Sequence, residues 1–191
     1  MTIYCATGNP GKLREFRLAA QVLGIDLEPL ADLKSIPAPA ETGDTFEANA
    51  RLKAEYYSQF ASGPLFADDS GLEVDALAGE PGVHSARYAG PGANDEANNR
   101  LLLERLGDNP HRTGRFVCAI ALAEAGKTRG VFRGEVEGEI LRERRGQGGF
   151  GYDPLFYYPP FGCSFGEVDG PKKFDVSHRG KALRELLKYL T

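Results

Sequence analysis

Cysteine and histidine are scarce in this sequence of 191 residues, and tryptophan is absent. Cys5, Cys118 and Cys163 are widely separated and form no CxxC pair, which indicates free thiols in a reducing cytoplasm rather than a disulfide framework. The 3 histidines are equally scattered, so a zinc site built from clustered His and Cys is not expected. Any metal would have to bind carboxylate oxygens, and this type of ligand favours Mg²⁺.

Long apolar runs and a positive net charge are absent as well. The apolar stretch from Phe116 to Ala123 is far shorter than the roughly 20 residues that a membrane-spanning helix needs, and no secretory leader pattern follows Met1. With 23 Lys and Arg against 27 Asp and Glu, the chain lacks the positive field of a protein that coats nucleic acid. We therefore expect a cytoplasmic protein with no membrane or nucleic acid partner, in which residues 1–191 form one domain or two small lobes that share a core.

Strand and helix patterns alternate along the chain. Residues 2–6 have the pattern of a buried strand. A first helix is predicted directly after this strand from the helical spacing of Leu13, Phe16, Ala20 and Leu23. A Pro-containing connection over residues 28–40 leads to a second helix, for which Asp44 is the expected N-cap. The remaining predicted elements are strands at 64–67, 116–123, 131–132 and 135–141, a third helix that includes 101–106, and a final helix that begins near Ser177. The core-facing residues of the final helix are expected to be Leu183, Leu186, Leu187 and Leu190. This order predicts an α/β fold.

The first strand-to-helix loop has the sequence TGNPGK. Backbone amides at a helix N-terminus attract phosphate, and Lys12 would add a full positive charge. The loop is not a Walker A motif, because Leu13 follows the lysine and the glycines are too closely spaced. A plain Gly/Pro turn with an exposed lysine would explain the same spacing. The candidate phosphate-binding residues are Thr7, Gly8, Asn9, Pro10, Gly11 and Lys12.

Two adjacent carboxylates, Asp68 and Asp69, are predicted at the exit of a strand. A divalent metal would relieve their mutual repulsion, and one of them could take a proton from an attacking water molecule. A solvated Asp-Ser-Gly turn is the alternative. Glu41 is the better candidate for a second metal ligand, because Glu47 follows Asp44 at the spacing of a capping box and so has a structural explanation.

The glycine-dense segment over residues 148–154 surrounds two aromatic residues, Phe150 and Tyr152, with little side-chain bulk. Such a backbone lets a flat base approach and stack, and Asp153 could accept a hydrogen bond from a ring N–H group. A packed aromatic β-turn would have the same composition.

Basic residues open the final helix, where the helix dipole disfavours them. His178 and Arg179 follow the expected cap Ser177, and Lys173 lies just before it in the sequence. Something other than helix stability therefore explains their position, and an anionic ligand is one explanation. A solvated basic face is the other.

Five segments, in order, together resemble one family. They are TGNPGK, ETGDTF, FADDSGLEVDALAGEPGVHSARYAG, GGFGYDP and SHRGKAL, and the match is collinear from Ala6 to Leu187. The chain resembles the Ham1 family of non-canonical purine nucleoside triphosphate pyrophosphatases. It departs from the usual TFxENA pattern of that family, because Ala48 stands where the family has an acidic residue.

The resemblance implies an α/β fold with a long twisted mixed sheet and two lobes around a substrate cleft, usually in a homodimer. It implies hydrolysis of ITP, dITP or XTP to the monophosphate and pyrophosphate with Mg²⁺. A Maf-like pyrophosphatase with a different nucleotide range and a catalytically silent nucleotide sensor are the alternatives, and a panel of substrates separates them.

The resemblance implies that Asp69 is the general base and a metal ligand, and that the loop from Thr7 to Lys12 holds the triphosphate. From the residues themselves, Glu41 is expected as the second metal ligand and Lys12 is expected to stabilise charge on the leaving group. Ser70 is expected to contact the substrate. Donors from His178 or Arg179 would accept a 6-oxo purine and oppose a 6-amino purine. The residues expected around the base and the sugar-phosphate are Phe150, Gly151, Tyr152, Asp153, Lys173, His178 and Arg179.

Overall fold

A mixed sheet of seven strands forms the centre of the protein, in the order β2-β1-β3-β4-β5-β6-β7. The computed structural model describes residues 2–22 and 24–190. Strands β2, β1 and β3 are parallel to one another, and each later pair is antiparallel. The strands are β1 (Thr2–Cys5), β2 (Asp26–Pro29), β3 (Leu65–Val74), β4 (Thr113–Glu124), β5 (Lys127–Ile140), β6 (Phe156–Tyr158) and β7 (Cys163–Ser164). The expected α/β class with a mixed sheet is confirmed.

Five α-helices flank this sheet within the described residues. They are α1 (Pro10–Val22), α2 (Phe46–Tyr57), α3 (Asp95–Leu106), α4 (Gly170–Val176) and α5 (His178–Leu190). None of them is long and apolar enough to cross a lipid bilayer. All three cysteines are free thiols, as the sequence indicates.

The two faces of the sheet are covered by different helices. Alternate residues of a strand point to opposite faces, so Phe66 and Ile120 pack with α1 and α5 while Leu65 and Ala119 pack with α2. Burial on both faces explains why β4 is apolar at nearly every position between residues 116 and 123. A third apolar cluster joins α3 to β6 and the far ends of β3, β4 and β5.

Glycine at position 134 of β5 allows α5 to lie against the strand. A Cβ atom at Gly134 would lie 2.2 Å from the His178 carbonyl oxygen and 2.5 Å from the Ala182 nitrogen. The absence of a side chain therefore sets the distance between the sheet and the first turn of α5. This turn places the His178 ring on Phe116 of β4 and the Arg179 guanidinium beside Ser70 of β3.

Several predicted elements differ from the structure. The connection over residues 28–40 begins inside the edge strand β2, whose Pro29 and alternating exposure made it unlike a core strand. Strand β5 is continuous, because Arg133 and Gly134 stay paired with β4 instead of interrupting the ladder. Helix α4 was not predicted. Leu23, predicted on the first helix, lies outside the described residues.

The N-cap of α2 is Thr45 rather than Asp44. The Thr45 hydroxyl accepts a hydrogen bond from the Ala48 amide at 3.1 Å. Both residues can cap a helix, and the structure starts the helix one residue later than the capping-box spacing implies. Ser177 does cap α5, because its hydroxyl accepts from the Gly180 amide at 3.1 Å.

An open edge of β3 determines where a cleft can form. β1 ends at Cys5, and its register with β3 stops at Phe66. β3 continues to Val74 along β4, and from Ala67 to Gly71 no strand of the described chain pairs with its other edge. Beyond this gap the Leu72 amide donates to the Ser85 hydroxyl at 2.9 Å and Glu73 forms a bridge with Pro81. The loop over residues 7–12 therefore lies beside the middle of β3, where the two aspartates are.

Candidate active site

A cleft of about 730 Å³ opens along the free edge of β3. It brings together side chains from the first loop, α2, β3, the glycine-rich segment and α5. The expected site residues that line it are Thr7, Gly8, Asn9, Lys12, Glu41, Asp69, Ser70, Phe150, Gly151, Tyr152, Asp153, His178 and Arg179. Pro10, Gly11 and Lys173 lie behind this lining: Pro10 begins α1, and the other two contact Phe150.

The TGNPGK loop is a helix-capping turn in this structure. The Asn9 side-chain oxygen accepts from the Gly11 amide at 2.9 Å and from the Lys12 amide at 3.1 Å. Thr7 accepts from the Asn9 amide at 3.2 Å. Two of the amides expected to bind phosphate are thus already bonded within the loop, and they would have to exchange partners to bind an anion.

Asp68 and Asp69 were expected at the end of a strand, but the structure places them in the middle of β3. They point to opposite faces of the sheet, since Asp68 pairs with Ile120 and Asp69 with Ala119. The repulsion that a shared metal ion was expected to relieve is therefore reduced by geometry. Each carboxylate has its own cation.

Asp68 faces α1 and α5 and is held as a carboxylate. It accepts from the Lys12 ammonium group at 2.8 Å and from the Ser70 hydroxyl at 3.3 Å. Burial opposes its ionisation, but Lys12, Lys53 and Arg179 outweigh burial and lower its pKa. The charge of Asp68 thus positions Lys12, and Asp68 is a weak base.

Asp69 faces α2, and its pKa is raised, whereas that of Asp68 is lowered. Its oxygens accept from the Asn49 amide group at 3.2 Å and from Lys53 Nζ at 3.3 Å. Burial raises its pKa, and the attraction of Lys53 and Lys12 does not fully offset this effect. Of the two carboxylates, Asp69 is therefore the better proton acceptor.

Lys53 is a site residue that the sequence did not reveal. Its Nζ lies 3.3 Å from Asp69 Oδ1 and 3.6 Å from Glu41 Oε2. Asn49 and Lys53 are four residues apart on α2, so both reach the same side of the helix. This spacing is the only signal in the sequence, and it is common in helices that have no site.

Glu41 and Asp69 are suited to hold part of the coordination sphere of Mg²⁺. Both carboxylates lie close to the ammonium group of Lys53. Together they carry two negative charges when ionised, and Lys53 offsets only one of them. No group of three or more metal-binding side chains occurs within residues 2–22 and 24–190. Mg²⁺ commonly uses one or two carboxylates and takes its other ligands from water and phosphate, so the donor set fits this ion.

Glu47 does not replace the acid that is missing at Ala48. Its carboxylate accepts from Arg133 Nη1 at 2.6 Å on the outer surface of β5, and it is not among the residues that line the cleft. Neither residue 47 nor residue 48 therefore contributes an acidic group to this cleft.

A buried ion network lies behind the other end of the cleft. Lys173 Nζ contacts Glu15 at 2.7 Å and Asp153 at 2.5 Å, and Arg179 Nη1 contacts Glu15 at 3.0 Å. Burial raises the pKa of Asp153 despite the attraction of Lys173. Glu15 was missed, because its partners are 158 and 164 residues away in the sequence.

The carboxylate of Asp153 is not free to bind a ring N–H group, as was expected of it. It already accepts from Lys173 Nζ and, at 3.0 Å, from the Phe150 amide. Its role in this structure is to fix the turn that carries Phe150. The ring of Phe150 lies 5.0 Å from Lys173 Nζ and 4.8 Å from the Arg179 guanidinium carbon.

His178 and Arg179 supply polar atoms that have no partner. The His178 ring is buried and stacks on Phe116 with centroids 4.8 Å apart, and neither ring nitrogen has a hydrogen-bond partner. Burial and nearby cations lower the pKa of His178 far below its usual range, so the ring is neutral at pH 7. Arg179 donates to Ser70 at 3.1 Å, and its Nε is unpartnered.

Comparisons with known proteins agree over almost the whole chain. The Ham1 family model matches residues 3–189. A dITP/XTP pyrophosphatase from Exiguobacterium sp. is 49% identical over 97% of this chain and 95% of its own length, and one from Thermus thermophilus is 50% identical over 98% and 91%.

Solved structures show the same agreement in three dimensions. The Ham1 protein of Staphylococcus aureus is 40% identical, with a TM-score of 0.87 over 100% of this chain and 98% of its own. A HAM1 protein from Coxiella burnetii is 41% identical, with a TM-score of 0.89 over the same shares of the two chains. With a match of this extent in sequence and structure, the chain belongs to the Ham1 family.

Proposed function

We propose that this protein hydrolyses dITP, XTP and ITP to the nucleoside monophosphate and pyrophosphate. The observation that carries the proposal is that one cleft contains both Asp69, a carboxylate with a raised pKa, and the unpartnered polar atoms of His178 and Arg179. Asp69 can accept a proton, and the polar atoms of His178 and Arg179 can form hydrogen bonds with the edge of a base. Relatives named dITP/XTP pyrophosphatases support the substrate class.

The proposed chemistry is attack of water on the α-phosphorus. Asp69 accepts the proton of the water molecule, a new P–O bond forms, and the bond from the α-phosphorus to the bridging oxygen breaks. Pyrophosphate leaves with the electron pair of this bond. Lys53 and Asn49 hold Asp69 in place at 3.3 and 3.2 Å, and Lys12 stabilises the charge that develops on the leaving group.

Glu41 and Asp69 would hold Mg²⁺ in this reaction. Mg²⁺ held there would supply positive charge that neutralises phosphate oxygens of the substrate. We further propose that the protein acts as a cytoplasmic homodimer, which its free thiols and its family support.

Base selectivity is proposed to depend on hydrogen-bond polarity. The neutral His178 ring has one N–H donor, and the Arg179 guanidinium has donors only. These groups can donate to the 6-oxo oxygen of inosine or xanthine, whereas the 6-amino group of adenine would face donors. A site built around such bonds can reject an analogue by up to about 10⁴-fold, because buried groups are left unpaired.

Product analysis with dITP, XTP, ITP, GTP and ATP, with and without Mg²⁺, tests the proposal. We expect pyrophosphate rather than orthophosphate, and faster hydrolysis of dITP, XTP and ITP than of ATP. Equal rates for ATP and ITP would contradict the base-recognition part, and tight ITP binding without product would indicate a silent sensor.

Substitution of Asp69 tests the proposed base. Asp69→Asn should lower kcat by about 10²- to 10⁴-fold while the fold is kept, because the side chain loses its proton-accepting charge and not its size. Asp44→Asn is a matched control, since Asp44 is exposed and does not cap α2. A near-native rate for Asp69→Asn would exclude Asp69 as the general base.

A further inference from the structure

Helix α3 holds one residue of the glycine-rich segment by both of its backbone groups. Asp95 Oδ2 accepts from the Gly151 amide at 2.8 Å, and Asn99 Nδ2 donates to the Gly151 carbonyl at 2.9 Å. Asp95 and Asn99 are four residues apart and so lie on the same side of the helix. We call these two side chains the α3 clamp.

The helix that carries the clamp is itself fixed at its start. The Asn94 side chain caps α3 by accepting from the Ala97 amide at 2.8 Å. Asn99 Nδ2 also donates to the Asp95 carbonyl at 2.6 Å, which joins the two residues of the clamp. The hydrogen bonds to Gly151 therefore come from a rigid element rather than from another loop.

Gly151 is a point at which this segment can change shape. It has a φ angle of +61° and separates Phe150 from Tyr152, the two aromatic residues that line the cleft. Tyr152 is anchored separately, because its hydroxyl donates to the Ser85 carbonyl at 2.6 Å. Asp153 closes a turn on Phe150 through its carboxylate at 3.0 Å and its amide at 3.2 Å, and Gly151 lies inside this turn. Rotation of the Gly151 peptide would therefore distort the turn and shift the ring of Phe150, which lies against Lys173 and Arg179.

Asn99 is chemically unusual for its position. It is 1% exposed, and its Oδ1 atom has no hydrogen-bond partner. An apolar side chain of similar size would avoid this unsatisfied buried oxygen, which typically costs about 1–3 kcal/mol. Packing alone thus does not explain an asparagine here, whereas its two donated hydrogen bonds do.

We propose that Asp95 and Asn99 are positioning residues that set base selectivity by holding Gly151, and through it the ring of Phe150. The inference rests on the proposed function of the cleft. With the clamp intact, a purine meets a fixed aromatic face and can reach the donors of His178 and Arg179 in one orientation. Without it, the ring moves and the wrong base is less strongly excluded.

Kinetics of clamp variants give the first test. Asn99→Leu and Asp95→Ala should each raise KM for ITP about tenfold and lower the preference for ITP over ATP about tenfold, the effect of losing one or two hydrogen bonds, with kcat nearly unchanged. Asp95→Asn keeps an acceptor oxygen and should restore the selectivity that Asp95→Ala loses. Asp95 is exposed, so this pair stays informative if Asn99→Leu does not fold.

Ser58→Ala is the control for stability. Ser58 is buried, its hydroxyl donates to the Glu55 carbonyl at 3.2 Å and accepts from the Gly126 amide at 3.0 Å, and it is not part of the cleft. We expect this variant to lose stability and keep wild-type selectivity. Unchanged KM and selectivity in both Asn99→Leu and Asp95→Ala would overturn the proposal.

Amide hydrogen exchange gives a test that does not depend on hydrolysis. Exchange over residues 149–153 should be faster in Asn99→Leu and Asp95→Ala than in the wild-type protein or Ser58→Ala. Unchanged exchange would overturn the proposal. If the wild-type protein releases no pyrophosphate from ITP, the proposed function fails, and exchange alone then decides whether the clamp holds Gly151.

Discussion

Glu15 is the shared anion of two buried cations, and replacing it with glutamine removes its charge at almost constant volume. Lys173 and Arg179 approach its two oxygens at 2.7 and 3.0 Å, and all three side chains are at least 90% buried. Lys173 keeps Asp153 as a second anionic partner, but among the described residues Arg179 keeps only the Ser70 hydroxyl as a hydrogen-bond partner. Glu15→Gln should therefore leave excess positive charge in the interior.

The expected loss of stability follows from this geometry. Removing one partner of a buried ion pair typically costs about 3–5 kcal/mol, and we expect the lower end because glutamine keeps one acceptor oxygen. For a chain of this size, each kcal/mol lowers Tm by about 2–4 °C, so the expected decrease in Tm is about 6–12 °C.

The pH dependence of this loss has a definite sign. Burial opposes the ionisation of Glu15, but Arg179 and Lys173 outweigh burial and lower its pKa. The stabilisation is therefore complete above the unfolded-state pKa of about 4.3 and disappears as pH falls through the lower folded-state value. The difference between wild type and variant should be full at neutral pH and shrink in acid.

Thermal unfolding of the two proteins at pH 7 and at several values below pH 4.3 measures both effects. Glu104→Gln is the control, because Glu104 is exposed and should shift stability by no more than about 0.5 kcal/mol. A Glu15→Gln variant with the wild-type Tm at pH 7 would refute the conclusion that these cations depend on Glu15.

Two further predictions concern Asp69 and the packing of α5. Lys53→Met should move the acid limb of the pH–rate profile to higher pH, because burial raises the pKa of Asp69 and the charge of Lys53 partly offsets this increase. An acid limb at the wild-type pH would show that Lys53 does not affect the ionisation of Asp69. Gly134→Ala should destabilise the protein by about 1–3 kcal/mol in urea unfolding, since the added carbon would meet backbone of α5. Gly63→Ala, whose nearest neighbour would be 3.6 Å away, should change stability little, and equal urea midpoints would contradict the packing argument.

Hydrophobic periodicity predicted the parts of the fold that depend on it. The apolar run of β4 and the helical spacing of Leu183, Leu186 and Leu187 correspond to buried positions in the structure. The order of strands in the sheet could not be obtained in this way, because pairing between distant segments leaves no local pattern. β2 was missed for the related reason that an edge strand needs no continuous apolar sequence.

The arrangement of the site was only partly predictable. An Asp-Ser-Gly sequence is typical of a turn, so residues 68–71 were not expected inside a central strand and their alternation was not considered. Glu15, Asn49 and Lys53 look like ordinary polar helix residues, and their importance depends on partners that the fold brings from elsewhere. Lys12, Asp69 and Arg179 were found because unusual local sequence surrounds each of them.

The alternation of β3 makes the cleft sensitive to chain length as well as to residue type. Deletion or insertion of a single residue between Leu65 and Asp68 would turn each aspartate toward the other side of the sheet. Asp69 would then face Lys12, Asp68 would face Lys53, and every carboxylate would still be present. Such a frame-preserving change should abolish turnover although it removes no acidic group.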